Sequence, residues 1–135
     1  TGKFMSADPA LRYETIQWVM FQMGGIGPMF GQVGFFNRFA GKDFEDKRPR
    51  ARYVGESRRL LNVLNERLKG RQWIMGDDYT IADMATFPWI RNLLGFYEAG
   101  DLVGIQDFPD VTRVLDAFVA RPAVQRAVNI PKRPE

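Results

Sequence analysis

Two residue types that this sequence lacks restrict its chemistry. The 135 residues include no Cys and no His, which excludes disulfide bonds, thiol redox chemistry, zinc sites built on Cys or His, and every His-based catalytic triad. Carboxylates, Arg, Lys, Tyr, Ser and Thr remain available for catalysis or binding. Asp83 lies in an apolar stretch and is therefore a candidate catalytic acid or base.

The spacing around Asp83 favours a structural role instead. Thr80 precedes it by three residues, so each side chain can accept a hydrogen bond from the other's backbone N–H at the start of a helix, an arrangement called a capping box. Tyr79 and Met84 stand at the positions of a hydrophobic staple around that box. We therefore expect Thr80 and Asp83 to begin a helix rather than to catalyse a reaction.

The helix that this box begins is predicted to run through Tyr97. Its residues are apolar on nearly all sides, which is typical of the central helix of a bundle. Pro88 within it predicts a bend.

An earlier helix is predicted to begin at Asp8-Pro9, because Asp caps free N–H groups and Pro fits the first helical turn. Its apolar stripe is wide, and we expect this helix to be buried on more than one side. The glycines and the proline of residues 24–28 predict a kink, after which helical spacing resumes up to Gly41. The stripe consists of Tyr13, Ile16, Met20 and Met23, widened by Trp18, Val19 and Phe21.

Three more helices follow from the same rules. An amphipathic helix spans Arg48 to Leu68, another begins at Asp107-Phe108-Pro109, and a short last one begins at Arg121-Pro122 and ends near Val128. No stretch shows the alternation that is typical of a strand. The predicted fold class is therefore all-α, a bundle of five to six helices.

Apolar residues near the kink are candidates for a pocket that would take an apolar electrophile. Met23, Met29, Phe30 and Trp89 suit this role because methionine adapts to varied shapes and aromatic rings offer flat contact area. The same residue types at helical spacing are also typical of a core, and both interpretations stay open. The glycines at 24, 25 and 27 lack the spacing of a phosphate-binding loop and favour close approach of a neighbouring helix or a second subunit.

The composition indicates one globular domain. Hydrophobic residues make up 45%, and 19 Lys and Arg against 16 Asp and Glu give a net charge of +3, so the chain is not a disordered polycation. No apolar run approaches the roughly 20 residues that span a membrane.

The basic residues from Lys47 to Arg59 do not predict a nucleic-acid site. They are interleaved with carboxylates and lack aromatic residues for base stacking beyond Tyr53, so binding to nucleic acid is not expected.

Several of these segments together resemble the C-terminal helical domain of the glutathione transferase superfamily. The capping segment and the Arg-Pro-Ala ending are shared by many of its classes, whereas the Gly-Gly-Ile-Gly-Pro-Met run points to the bacterial Nu-class and Ure2-like branch. The matching segments are Gln17-Trp18, residues 22–29 with Gly31-Gln32, residues 76–83 with Phe87-Pro88-Trp89, and Arg121-Pro122-Ala123-Val124.

The resemblance implies a domain organisation. Residues 1–7 would be a linker, residues 8–130 the helical domain and residues 131–135 a polar tail. A thioredoxin-like domain absent from this chain would bind glutathione and supply the residue that activates its thiol. The full-length protein would be a glutathione-dependent transferase or disulfide-bond reductase of the cytosol, without a metal, and a homodimer packed through its first two long helices.

The resemblance also makes Arg52 and Tyr53 candidate substrate-binding residues. In the resembling branch, an arginine at the position matched by Arg52 contacts the bound glutathione species, and an arginine can hold a carboxylate by paired charge-assisted hydrogen bonds. The alternative is that Arg52 belongs to a solvated basic face, and both interpretations stay open. A non-catalytic protein-interaction module is the alternative function. The other members of the basic face are Lys47, Arg48, Arg50, Arg58 and Arg59.

Overall fold

A computed structural model describes residues 2–128 and residue 130. Thr1, Asn129 and the predicted polar tail of residues 131–135 lie outside the described residues. The described part of the chain contains helices and no strand, and one isolated antiparallel bridge joins Trp73 to Gly76. The predicted all-α class is confirmed.

Seven α-helical segments make up this part of the chain. A π-helical turn, Gln22–Ile26, joins the first two into one long helix, so the six resulting helices agree with the predicted five to six. None of the described helices combines the length and the apolar character needed to cross a membrane. The segments are α1 (Pro9–Phe21), α2 (Gly27–Arg38), α3 (Arg48–Leu68), α4 (Ile81–Leu94), α5 (Gly100–Val103), α6 (Pro109–Val119) and α7 (Pro122–Ala127).

The long first helix begins and changes its winding where the sequence predicts. Asp8 accepts a hydrogen bond at its Oδ1 from the backbone N–H of Leu11 at 3.0 Å, and Pro9 is the first helical residue. The glycine segment remains helical but is wound as the π turn, a form that inserts one extra residue per turn and is frequent at functional sites. A short 3₁₀ segment, Ala40–Asp43, follows α2.

The expectation that α1 is buried on more than one side is wrong. Tyr13 is 72% exposed, and Met20 and Met23 are each 59% exposed. Thr15 is the buried residue of α1, and Trp18 and Val19 pack partly against the core. The helix therefore contacts the bundle through the side that carries Thr15, Trp18 and Val19, and Tyr13, Ile16, Met20 and Met23 are left exposed.

Helix α3 has the predicted bounds and buries its leucine face. Leu60, Leu61, Leu64 and Leu68 are almost completely buried, and each such side chain contributes about 1.5–3 kcal/mol when removed from water. The helix packs against α2 and α6. Asn65 on the same face accepts hydrogen bonds at its Oδ1 from the first free N–H groups of α6.

Helix α4 is the central helix, and it contacts α1, α2 and α6. It begins at the predicted box and continues through Pro88, but it ends at Leu94 rather than at Tyr97. Gly95 follows the last turn, and the chain then reverses through Glu98, whose φ of 52° lies in the left-handed region. Its buried residues are Ala82, Asp83, Thr86, Phe87, Ile90 and Leu93.

Candidate ligand-binding cleft

An open cleft of about 990 Å³ lies along the start of α3. Its lining comes from α2, from the segment that precedes α3 and from the first turns of α3 itself. Met29, Arg52 and Tyr53 all line it, so the structure brings together three of the six substrate-binding residues that the sequence predicts. Asp46 and Glu56 contribute carboxylates to the same cleft.

Each carboxylate of the cleft is paired with an arginine of its own. Arg48 donates to Asp46 through Nε at 2.9 Å and Nη2 at 2.7 Å, and these bonds lower the pKa of Asp46. Arg59 donates to Glu56 through Nε at 2.9 Å and Nη2 at 2.7 Å. The pKa of Glu56 is lowered mainly by Arg59, with a smaller electrostatic effect of Arg52. Both carboxylates are therefore ionised at neutral pH.

Arg52 differs from the arginines around it. It is exposed in the cleft, and no hydrogen bond or ion pair joins it to another described residue. The other four arginines between residues 48 and 59 all have partners, and two of them are half-buried, so this basic face is not uniformly solvated. The partners are Asp46 for Arg48, Asn37 for Arg50, Asp107 for Arg58 and Glu56 for Arg59.

Tyr53 is held in the cleft wall by an aromatic stack. Its ring lies on that of Phe36 in α2, with the ring centroids 5.6 Å apart and the planes inclined by 18°. Phe36 in turn makes edge contacts with Phe35 and Phe44. Stacking of this kind adds about 0.5–1.5 kcal/mol to the burial of the rings, so the wall is fixed against α2.

The other predicted pocket residues lie elsewhere. Met23 projects from the π turn and is 59% exposed, and Phe30 has no exposed surface because it belongs to the core. Trp89 packs partly against the core beside Gly27, where an added Cβ would lie 3.3 Å from its ring. Gly27 therefore permits the close approach of a neighbouring helix.

Asp83 and Thr80 form the capping box and do not line the cleft. Asp83 is fully buried, and its carboxylate accepts hydrogen bonds from the backbone N–H of Ile74 at 2.9 Å and of Thr80 at 2.8 Å. Burial raises the pKa of Asp83, although these hydrogen bonds oppose the rise. Since its oxygens are bonded within the chain, the carboxylate serves the fold.

Sequence reasoning missed Asp46, Glu56 and Asn37. The pairing of Glu56 with Arg59 has a readable signal, because residues three apart on a helix are neighbours. Asn37 has none, since it bonds Arg50 and Tyr97, which are 13 and 60 residues away. Within the described residues, no group of three or more His, Cys, Asp or Glu is placed to hold a metal ion.

Comparison with known proteins decides the family. Residues 28–122 match the family described as glutathione S-transferase, C-terminal domain. The chain belongs to the glutathione S-transferase family. The resemblance found in the sequence is thereby confirmed, and the helices described above are the C-terminal helical domain of this family.

Relatives of the chain include bacterial glutathione transferases. It is 44% identical over 93 residues to the disulfide-bond oxidoreductase YfcG of Escherichia coli. This match covers 67% of this chain and 41% of YfcG. A glutathione transferase of Burkholderia graminis, solved with two glutathione molecules bound per subunit, is 71% identical, with a TM-score of 0.95 over 98% of this chain and 55% of its own. A glutathione transferase of Pseudomonas putida, solved with one glutathione disulfide per subunit, is 64% identical, with a TM-score of 0.93 over 96% and 56%.

The chain spans about half the length of the relatives it matches, for example 41% of YfcG and 56% of the Pseudomonas putida chain. The match covers nearly all of this chain in the solved structures. In those relatives, the matched residues therefore correspond to about half of the chain.

Proposed function

We propose that the cleft along α3 binds a carboxylate of a glutathione moiety and that Arg52 is the residue that holds it. The observation that carries this proposal is that Arg52 is exposed in the cleft without a partner among the described residues, whereas its neighbouring arginines are engaged. A planar guanidinium donates two parallel hydrogen bonds to a carboxylate. Glutathione offers two carboxylates for such a contact.

Tyr53 and Met29 are proposed to contact the less polar part of the ligand. Both line the cleft beside Arg52, and an aromatic ring and a flexible thioether suit ligands of varied shape. The choice of ligand is supported by the Burkholderia graminis and Pseudomonas putida proteins, whose structures contain glutathione and glutathione disulfide.

The full-length protein is proposed to be a glutathione-dependent transferase or disulfide-bond reductase. The reactive thiolate is proposed to be that of glutathione, which the Burkholderia graminis protein binds. In a transfer, the thiolate sulfur forms a bond to an electrophilic carbon and a leaving group departs. In a reduction, it attacks one sulfur of a disulfide and the other sulfur leaves as a thiolate. The cytosol, where glutathione keeps thiols reduced, is the proposed compartment.

In this proposal the chain supplies the substrate-side wall of the active cleft. The helical domain of residues 8–130 supplies that wall, and residues 1–7 link it to a thioredoxin-like domain that holds the glutathione thiol. By itself the helical half is therefore expected to be inactive.

A homodimer packed through the first two long helices, the joined α1–α2 helix and α3, is also proposed. The apolar stripe of α1 is exposed in this chain, including Tyr13 and Met20, and Gly24 and Gly31 have open space around the position of a Cβ. Introducing a charge by Met20→Lys is expected to convert the dimer of the full-length protein to monomer, measured by light scattering. Ala117→Lys, on the exposed side of α6, is the control, and a Met20→Lys protein that stays dimeric would contradict this interface.

Calorimetric titration of the full-length protein with glutathione and with glutathione disulfide tests the role of Arg52. Arg52→Ala is expected to weaken binding about tenfold, which corresponds to about 1.4 kcal/mol. This value is near the lower end for a hydrogen bond to a charged group, and it is expected here because Arg52 is exposed to solvent. Arg52→Lys keeps the positive charge but loses the paired donors of the guanidinium, so its affinity should lie between those of the wild type and Arg52→Ala.

Arg126→Ala is the matched control for this titration. Arg126 is exposed on α7 and does not line the cleft, so its loss should leave the affinity unchanged. Unchanged affinity of Arg52→Ala would remove Arg52 from the site. A folded wild-type protein that binds neither ligand would overturn the proposal and favour the protein-interaction module.

A further inference from the structure

Asn37 and Arg50 form a half-buried contact beside the cleft. Arg50, in the first turn of α3, donates from Nη2 to Asn37 Oδ1 at 2.7 Å. Asn37, near the end of α2, donates from Nδ2 to the carbonyl oxygen of Tyr97 at 2.9 Å and to that of Glu98 at 3.4 Å. These bonds join α2, α3 and the turn that follows α4.

Stability alone does not account for Arg50. Its Nε has no exposed surface and no partner among the described residues, and an unpaired buried donor is unfavourable. No carboxylate of the described residues forms an ion pair with its guanidinium. An apolar side chain of similar length would avoid both costs.

The contact lies next to a second link between the same two helices. Phe36, which precedes Asn37 in α2, stacks on Tyr53 of the cleft wall. At the start of α3, Lys47 supplies no side-chain cap, and Asp46 Oδ1 accepts one hydrogen bond from the backbone N–H of Arg48 at 2.9 Å. The contacts with α2 add to this single bond in fixing the first turns of α3. Two consecutive residues of α2 therefore hold the part of α3 that carries Arg52 and Tyr53.

Resting on the proposed function, we propose that Asn37 and Arg50 are positioning residues for Arg52. Arg52 has no partner of its own among the described residues, so the placement of its guanidinium depends on the backbone of the turn that Arg50 fastens. A two-point hydrogen bond to a carboxylate requires a well-placed donor pair. The Asn37–Arg50 bond supplies that placement without contacting the ligand.

A double-mutant cycle in the full-length protein tests this role. Asn37→Ala is expected to weaken the binding of glutathione disulfide about fivefold, the equivalent of one ordinary hydrogen bond. Because Asn37 acts through Arg52, the protein that carries both Asn37→Ala and Arg52→Ala should bind no more weakly than Arg52→Ala alone. Arg50→Met, which breaks the same bond from the other side, should give the same fivefold loss.

Arg58→Ala is the matched control for a general loss of stability. Arg58 also lies on α3 and also bonds across to another element, at the carbonyl oxygen of Val103 and the carboxylate of Asp107, but it does not line the cleft. Its loss should lower the melting temperature while leaving the affinity unchanged. An equal loss of affinity in Arg58→Ala, or additive losses in the cycle, would overturn the positioning role.

Hydrogen exchange separates failure of this inference from failure of the proposed function. Asn37→Ala should speed the exchange of amides in residues 48–56, and Arg58→Ala should not. If Arg52→Ala binds as the wild type does, the proposed function fails whatever the exchange shows. If the exchange of residues 48–56 is unchanged in Asn37→Ala, the positioning role fails even where Arg52 binds the ligand.

Discussion

In Asp83→Ala, the two backbone N–H groups of Ile74 and Thr80 lose their acceptor inside the core. Each buried donor left unpaired costs about 1–3 kcal/mol. Part of this cost is offset, because the substitution also removes the unfavourable free energy of burying the Asp83 carboxylate, which the raised pKa of Asp83 reflects. We therefore expect a net loss of about 2–4 kcal/mol in the free energy of unfolding.

The loss should depend on pH in a definite direction. Because the pKa of Asp83 is raised on folding, the folded wild-type chain binds more protons than the unfolded chain between the ordinary and the raised value. The contribution of Asp83 to stability is then complete below the ordinary value and falls as the pH rises through the folded value. The difference between wild type and Asp83→Ala should be larger near about pH 4 than near about pH 7.

Urea unfolding at both pH values, followed by tryptophan fluorescence, measures this difference as a shift of the midpoint at constant slope. Thr15→Ala, which removes a buried hydroxyl bonded to the carbonyl of Leu11, is a control without a titrating group. A difference that is larger at neutral pH would refute the reasoning, because it would mean that the hydrogen bonds outweigh burial and lower the pKa.

Two further substitutions test the packing. Gly34→Ala is expected to destabilise the domain by about 1–3 kcal/mol in thermal unfolding, because the added Cβ would lie 2.5 Å from the ring of Tyr97. Gly31 has open space around the position of a Cβ, so Gly31→Ala should leave the unfolding of a monomer unchanged. Equal effects of the two substitutions would contradict this packing. Arg67→Ala should lower the free energy of unfolding in urea by about 1–3 kcal/mol, because Arg67 donates to the carbonyl oxygen of Ile74 at 2.7 Å and pairs with Glu14 at 2.6 Å. A decrease below about 0.5 kcal/mol would contradict this and show that solvent screens both contacts.

Local signals predicted the helix starts, since each depends on residues within one turn. The Asp8-Pro9 start and the pair of Thr80 with Asp83 are of this kind. The end of α4 was harder, because Phe96 and Tyr97 continue the apolar pattern although the chain turns after Gly95. Apolar character alone does not show where a helix stops.

Burial and the candidate cleft could be predicted only in part. The apolar residues of α1 led to the wrong expectation of burial on more than one side, because a sequence pattern does not state what covers a residue, and Tyr13 is exposed. Arg52 was selected through the resemblance to a family, whereas its lack of a partner became visible only in the structure. The bond between Asn37 and Arg50 joins two helices and has no local signal.

The π turn at Gln22–Ile26 alters the phase of the long first helix. One additional residue rotates everything before it by about 100° relative to an uninterrupted α-helix. A single rod can in this way direct Phe30 and Val33 inward while Tyr13 and Met20 face outward. Deleting one glycine from the turn would rotate α1 by about a quarter of a turn relative to α2.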